Sequence, residues 1–147
     1  YEIVSRDWSS DVCSSDLEVN FKKIRELRDL LILGLKQSVP DIVINSPIDP
    51  ALPGVVNVSI PGTESDALLL LLDSEGISAS AGSACSAGVP RPSHVLIAMG
   101  VSEELADASL RISIGATNTA AEIEQVVAVM PSVVERARNA FAVGKLS

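Results

Sequence analysis

From Glu18 to Gln37 the apolar positions are Phe21, Ile24, Leu27, Leu30, Leu31 and Leu35. Spacings of three and four predict an amphipathic helix. Its charges, Lys22, Lys23, Arg25, Glu26 and Arg28, fall mostly on the other face, and Pro40 marks its end. Asp41 to Asn45 is a short strand candidate, followed by a loop punctuated by Pro47, Pro50 and Pro53. Val55 to Ile60 alternates and predicts a strand closed by Pro61-Gly62. Thr63, with Asp66 three residues on, is placed to cap a helix through the leucine run Leu68–Leu72, and Gly76 is a natural stop. Ile77 to Ser80 predicts a strand, Ser93 to Met99 and Ser102 to Ala106 short helices, and Ser109 to Ile114 a further alternating strand. Thr119-Ala-Ala-Glu122 is a capping box for a last long helix. Ile123, Val126, Val127, Met130 and Val134 share one face of it, and Pro131 is expected to bend it. Helices and strands in this order predict an α+β layer, an antiparallel or mixed sheet with helices packed on one face.

The first 17 residues read differently. Asp7 to Leu17 has no helical period and little alternation, and it holds the only Trp, Trp8, and one of two cysteines, Cys13. The string resembles one reading-frame translation of a common sequencing-adapter oligonucleotide. Residues 1–17 are therefore expected to be a non-native segment without functional weight, and residues 18–147 the domain proper.

Composition narrows the classes. The chain has 147 residues, 47% hydrophobic and 20% charged, too aliphatic for a disordered chain. Two cysteines exclude a disulfide-stapled mini-protein. The leucine run is far short of the roughly 20 apolar residues that span a bilayer. A net charge of −8 and 3% aromatics give no electrostatic or stacking reason to bind nucleic acid or an anionic membrane. With one credible cysteine and no targeting segment, a cytoplasmic setting is expected.

Candidate chemistry centres on Ser80-Ala-Gly-Ser-Ala-Cys85-Ser-Ala-Gly88, a thiol in a loop of very small side chains. Gly82 and Gly88 permit backbone conformations that other residues avoid. Such a loop suits a cysteine that carries an atom, although composition alone leaves a reactive and an inert thiol equally open. Arg111 stands inside the apolar strand Leu110-Arg-Ile-Ser-Ile114. It either lies on a solvated face, the commoner case for a charged residue, or faces a cleft where it can grip a carboxylate with two parallel hydrogen bonds. His94, the sole histidine, stands at a helix start and is best read as a surface or packing residue. Glu103, Glu104, Glu122 and Glu124 read as helix-start charges that complement the dipole. No glycine-rich stretch ends in the Gly-Lys-Ser/Thr of a phosphate loop.

The cysteine loop, followed by Pro92-Ser-His-Val-Leu96, Met99-Gly100, Glu103-Glu-Leu-Ala106 and Ser109-Leu-Arg-Ile-Ser-Ile-Gly115, resembles the C-terminal part of a cysteine desulfurase, within the class V aminotransferases. The resemblance extends from Phe21 to Arg138, and the loop is similar to that of the longer-loop group of the family. It implies the small C-terminal domain of a fold-type I enzyme that depends on pyridoxal 5'-phosphate. It further implies that Cys85 attacks the sulfur of substrate L-cysteine, leaving L-alanine and an enzyme persulfide, while Arg111 binds the substrate carboxylate. The sulfur then passes to an acceptor, such as an iron–sulfur scaffold protein or a tRNA-thiolation relay. Cys85 as an iron–sulfur cluster ligand, and a homodimer in the full-length protein, are further implications. The Schiff-base lysine, the acidic partner of the pyridine nitrogen and the phosphate-binding residues belong to a large domain. None of the family's lysine motif is present, so no cofactor-binding residue is expected here and the chain alone is expected to be inactive. A class V aminotransferase or selenocysteine lyase using Cys85 differently, or a non-catalytic α+β binding module, are the alternatives.

Overall fold

The computed structural model describes residues 10–47, 52–81 and 92–144, with side chains from Leu17 onward. In chain order the elements are α1 (Ser10–Ser38), β1 (Val43–Ile44), β2 (Val55–Ser59), α2 (Ser65–Ser74), β3 (Ser80–Ala81), α3 (His94–Ala98), α4 (Glu103–Asp107), β4 (Ser109–Ser113) and α5 (Ala120–Gly144). The four strands form an antiparallel sheet in the order β1-β2-β4-β3. This is the expected α+β layer, with α1, α2 and α5 together on one face.

The helix α1 begins at Ser10, earlier than the amphipathic pattern predicts. Extending a formed helix fixes one residue per hydrogen bond, whereas nucleation is costly, and the preceding Ser/Asp-rich residues contain no Gly or Pro to stop it. Its buried stripe is Ile24, Leu27, Leu31 and Leu35, while Phe21 and Leu30 are exposed. Arg28, expected on the charged face, is buried instead. It lies four residues after Ile24, on the same stripe, and donates through Nε and Nη2 to Asp29 Oδ1 at 2.9 and 2.7 Å.

Strand alternation sends Val56, Val58, Leu110 and Ile112 into the core with Leu31, Leu68, Leu72, Met130 and Val133. In the leucine run only Leu68 and Leu72, four apart, are fully buried, and Leu70 is 72% exposed. Thr63 does not cap α2. Its hydroxyl is buried and donates to the Ile60 carbonyl at 2.7 Å, so the helix starts later with Glu64 as N-cap. Its C-terminus is as expected: Gly76 takes φ +73°, Gly76 N donates to Asp73 O and Ile77 N to Leu72 O, a Schellman closure. The capping box of α5 also forms. Thr119 N–H donates to Glu122 Oε2 at 2.8 Å and Glu122 N–H to Thr119 Oγ1 at 3.3 Å. The helix runs on through Pro131, which stands exposed.

Two tests follow from this packing. At Gly34 an added Cβ would stand 2.5 Å from Val127 Cγ2, where α1 meets α5. Gly34→Ala, worth about 1 kcal/mol of stabilisation in an open helix, should here destabilise by about 1–3 kcal/mol because a β-branched valine yields poorly. Urea unfolding should show recovery in Gly34→Ala/Val127→Ala.

The second test is acid sensitivity. Hydrogen bonds from the Thr119 N–H, then from the Asn118 side chain, hold the Glu122 carboxyl below its ordinary value of 4.5. A depressed folded-state pKa stabilises the fold above the ordinary value and is lost as pH falls through the lowered one. Thermal unfolding between pH 6 and pH 3 should therefore show a shallower acid-side loss in Glu122→Gln than in the parent.

Candidate functional site

The same alternation that buries Leu110 and Ile112 turns Arg111 to the opposite face of the sheet. There it has a neighbour on each side: Asn57 across β2 and Ser80 across β3. The short helix α3 crosses above this face and buries Leu96. Between them lies a cavity of about 250 Å³. Asn45, Asn57 and Arg111 form its polar floor, and Val95, Leu96 and Met99 its apolar wall. The sheet thus carries its long helices on one face, as expected, and a single-turn helix over a polar site on the other.

The floor is ordered by hydrogen bonds. Asn45 Nδ2 donates to Asn57 Oδ1 at 2.7 Å and to Ser59 Oγ at 2.8 Å. The Asn57 N–H donates to Ser46 Oγ at 2.7 Å, and the Asn57 carbonyl accepts from Asn45 N–H at 2.9 Å. Ser109, opposite Ser59 in the register, is fully buried, and its Oγ has no hydrogen-bond partner among the described residues.

Arg111 is exposed, and no described residue forms an ion pair with it. No Asp or Glu is among the described residues that line the cavity. A permanently charged planar fork on the floor of a partly apolar cavity, with no counter-ion among the described residues, is suited to a planar anion. Arg111 thus stands exposed at the floor of the cavity, a position that both readings of this strand arginine allow.

Cys85 lies outside the described residues. Both ends of the segment that carries it are placed, however. Ala81 pairs with Leu110 and Ser80 with Arg111, and on the far side Ser93, the N-cap of α3, lines the cavity. His94 is the exposed first residue of α3 and does not line the cavity, in keeping with a surface role. Glu103 and Glu104 stand exposed in the first turn of α4, whose N-cap Ser102 accepts from Leu105 N. Glu122 holds the α5 capping box.

No lysine is among the described residues that line the cavity. Lys22, Lys23 and Lys36 are all on α1, and Lys23 Nζ donates to the Ala116 carbonyl at 2.6 Å. The described part of this chain therefore offers pyridoxal phosphate no Schiff-base partner beside Arg111. Among the described residues there is no group of three or more His, Cys, Asp or Glu that could hold a metal ion, and no helix is long and apolar enough to cross a membrane.

The sequence reading passed over Asn45 and Asn57. A signal was available for Asn57: it occupies the polar phase of the Val55–Ile60 alternation, as Arg111 does in its own strand. Asn45 had none, because its role depends on how β1 lies against β2.

Comparison with known proteins places this geometry in a family. Residues 12–126 match the model of the aminotransferase class-V family. An IscS-like cysteine desulfurase of Mycobacterium tuberculosis is 44% identical over 133 residues, 90% of this chain and 34% of that protein. The cysteine desulfurase IscS of Clostridium botulinum is 42% identical over 120 residues, 80% of this chain and 30% of that protein. Among solved structures, a NifS-like protein from Rickettsia africae superposes with a TM-score of 0.71 at 33% identity, covering 82% of this chain and 31% of that one. The chain thus spans about a third of the length of the relatives it matches. With more than two thirds of its length matched and its fold shared, the chain belongs to the aminotransferase class-V family.

Proposed function

We propose that residues 18–147 are the C-terminal small domain of a cysteine desulfurase, an enzyme that converts L-cysteine to L-alanine and passes the sulfur on as a Cys85 persulfide. The observation that carries this reading is the β3–β4 register. It sets Ser80 beside Arg111, an arginine with no ion-pair partner among the described residues, and Ser80-Ala81 leads in sequence to Cys85. Cys85 follows Ala81 by four residues in the sequence. The names of the Mycobacterium tuberculosis and Clostridium botulinum relatives, both cysteine desulfurases, point the same way.

Each residue has a defined task. The Arg111 guanidinium holds the substrate carboxylate with two parallel hydrogen bonds, beside the apolar wall that α3 supplies. The Cys85 thiolate is the nucleophile. A sulfur–sulfur bond forms between Cys85 and the substrate sulfur, and the substrate carbon–sulfur bond breaks. The electron pair goes to carbon, which takes a proton and departs in L-alanine. Net, L-cysteine and the Cys85 thiol yield L-alanine and the Cys85 persulfide, from which an acceptor such as an iron–sulfur scaffold protein takes the outer sulfur. Pyridoxal phosphate, the electron sink of this family, has no lysine beside Arg111 among the described residues, and it is assigned to the two thirds of the relatives' length that this chain does not span. The full-length protein is read as a cytoplasmic homodimer, and residues 1–17 as foreign to it. A genomic read encoding Asp7 to Leu17 in frame would refute that last point.

In a full-length protein carrying this domain, Cys85→Ala should abolish persulfide formation while cofactor absorbance is retained. Sulfur transfer that survives in this variant would assign the domain to a class V aminotransferase or selenocysteine lyase instead. Arg111→Ala should raise KM for L-cysteine by about 30-fold or more, the loss of about 2–5 kcal/mol for one partner of a hydrogen-bonded charge pair, with a smaller rise in Arg111→Lys. The 147-residue chain alone, supplied with pyridoxal phosphate and L-cysteine, should release no sulfide. Turnover by the isolated chain would overturn its reading as one domain of a larger enzyme.

A further inference from the structure

Arg111 does not stand alone on the cavity floor. Asn57 is its cross-strand partner, and the main-chain N–H and C=O of Asn57 are both directed toward β1, to Ser46 and Asn45. The Asn57–Arg111 pair is therefore one without direct main-chain bonds between its members, the kind in which facing side chains come closest. Both side chains line the same cavity.

The orientation of the Asn57 amide is set by Asn45. The Asn45 Nδ2 donates to Asn57 Oδ1 and is kept in place by a second bond to Ser59 Oγ. With its oxygen occupied, Asn57 has its two Nδ2 hydrogens left, and no described residue accepts from them. A carboxylate has about four acceptor positions, and a guanidinium fork satisfies two. We infer that Asn57 is the second anchor for a carboxylate held at Arg111, donating from Nδ2, and that Asn45 is a positioning residue that fixes which end of that amide faces the ligand. The inference rests on the reading of Arg111 as a carboxylate site and adds a neutral donor to it. It makes the pocket selective for a planar acid over its amide, since an amide NH2 would face a guanidinium and a second NH2 with nothing to accept from them.

The test uses the 147-residue chain, labelled with ¹⁵N and titrated with L-alanine, with L-alaninamide as the probe that lacks the carboxylate. The Asn57 side-chain amide and the Arg111 Nε–H resonances should move saturably with L-alanine and stay put with L-alaninamide. Asn57→Ser should bind L-alanine about tenfold more weakly, as expected for one hydrogen bond to a charged group. Asn57→Asp, of the same size but with an anionic oxygen in place of NH2, should bind more weakly still. Asn45→Ala should weaken binding about threefold through the freed Asn57 amide, and Arg111→Ala should abolish it. A purely structural Asn57 would lower the unfolding midpoint of Asn57→Ser and leave its L-alanine affinity untouched. Parental affinity in Asn57→Ser and Asn57→Asp, with binding lost in Arg111→Ala, would overturn the role of Asn57 and leave that of Arg111 intact. No saturable shift in the parent chain, or parental affinity in Arg111→Ala, would overturn both.

Discussion

The two-residue period of β4 is the constraint on which the rest depends. Leu110 and Ile112 are held in the shared core, with α2 packed against β4, and with Cβ atoms alternating across a strand Arg111 has no choice of face. A slip of one residue would bring the guanidinium into the hydrocarbon layer and two aliphatic chains to the site, so the core specifies the register as firmly as any hydrogen bond in the ladder. The site is thus positioned by residues that never touch it.

A second consequence concerns what surrounds Arg111. Two of the chain's described ion pairs lie far from it in the fold, between Arg138 and Asp41 and between Arg136 and Glu75, and the third joins neighbours on α1. Among the described residues that line the polar face of the sheet there is no Asp or Glu, and the floor is built from asparagines and serines. Neutral amides and hydroxyls order that floor without neutralising the arginine. A carboxylate among them would have closed the site with an internal salt bridge. The fully buried Ser109 hydroxyl, without a partner among the described residues, shows that this face carries polar groups beyond what local hydrogen bonding demands.

The covering of this face is short. One turn of helix, His94–Ala98, supplies the apolar wall, and it presents Val95, Ile97 and Met99 partly to solvent. The other face is covered by helices of 29, 10 and 25 residues with a continuous core. The division of labour is clear in these lengths: one side of the sheet supplies stability, and the other supplies a shallow, accessible floor.

Much of this was legible in the chain itself. The stripe Ile24, Leu27, Leu31 and Leu35, the Thr119–Glu122 box and the Gly76 stop are local patterns, decided by contacts within a few residues, and each formed where the periodicity placed it. Arg111 and the small-residue loop around Cys85 stood out for the same reason, as residue types that conflict with or lack a packing role. Other features depend on groups distant in sequence. Thr63 turned from a cap to the Ile60 carbonyl because the end of β2 needed a donor in a buried place, and Arg28 was drawn into the stripe that its four-residue spacing from Ile24 defines. Gly34 matters only because α5 presents Val127 to it, 93 residues later. The juxtaposition of Asn45, Asn57 and Arg111 requires three strands in register. Local periodicity is enough to tell helix from strand and to mark the residues that have no packing role. Which of those residues meet depends on the assembled sheet, because pairing between strands is set by the shared core and not by any single strand.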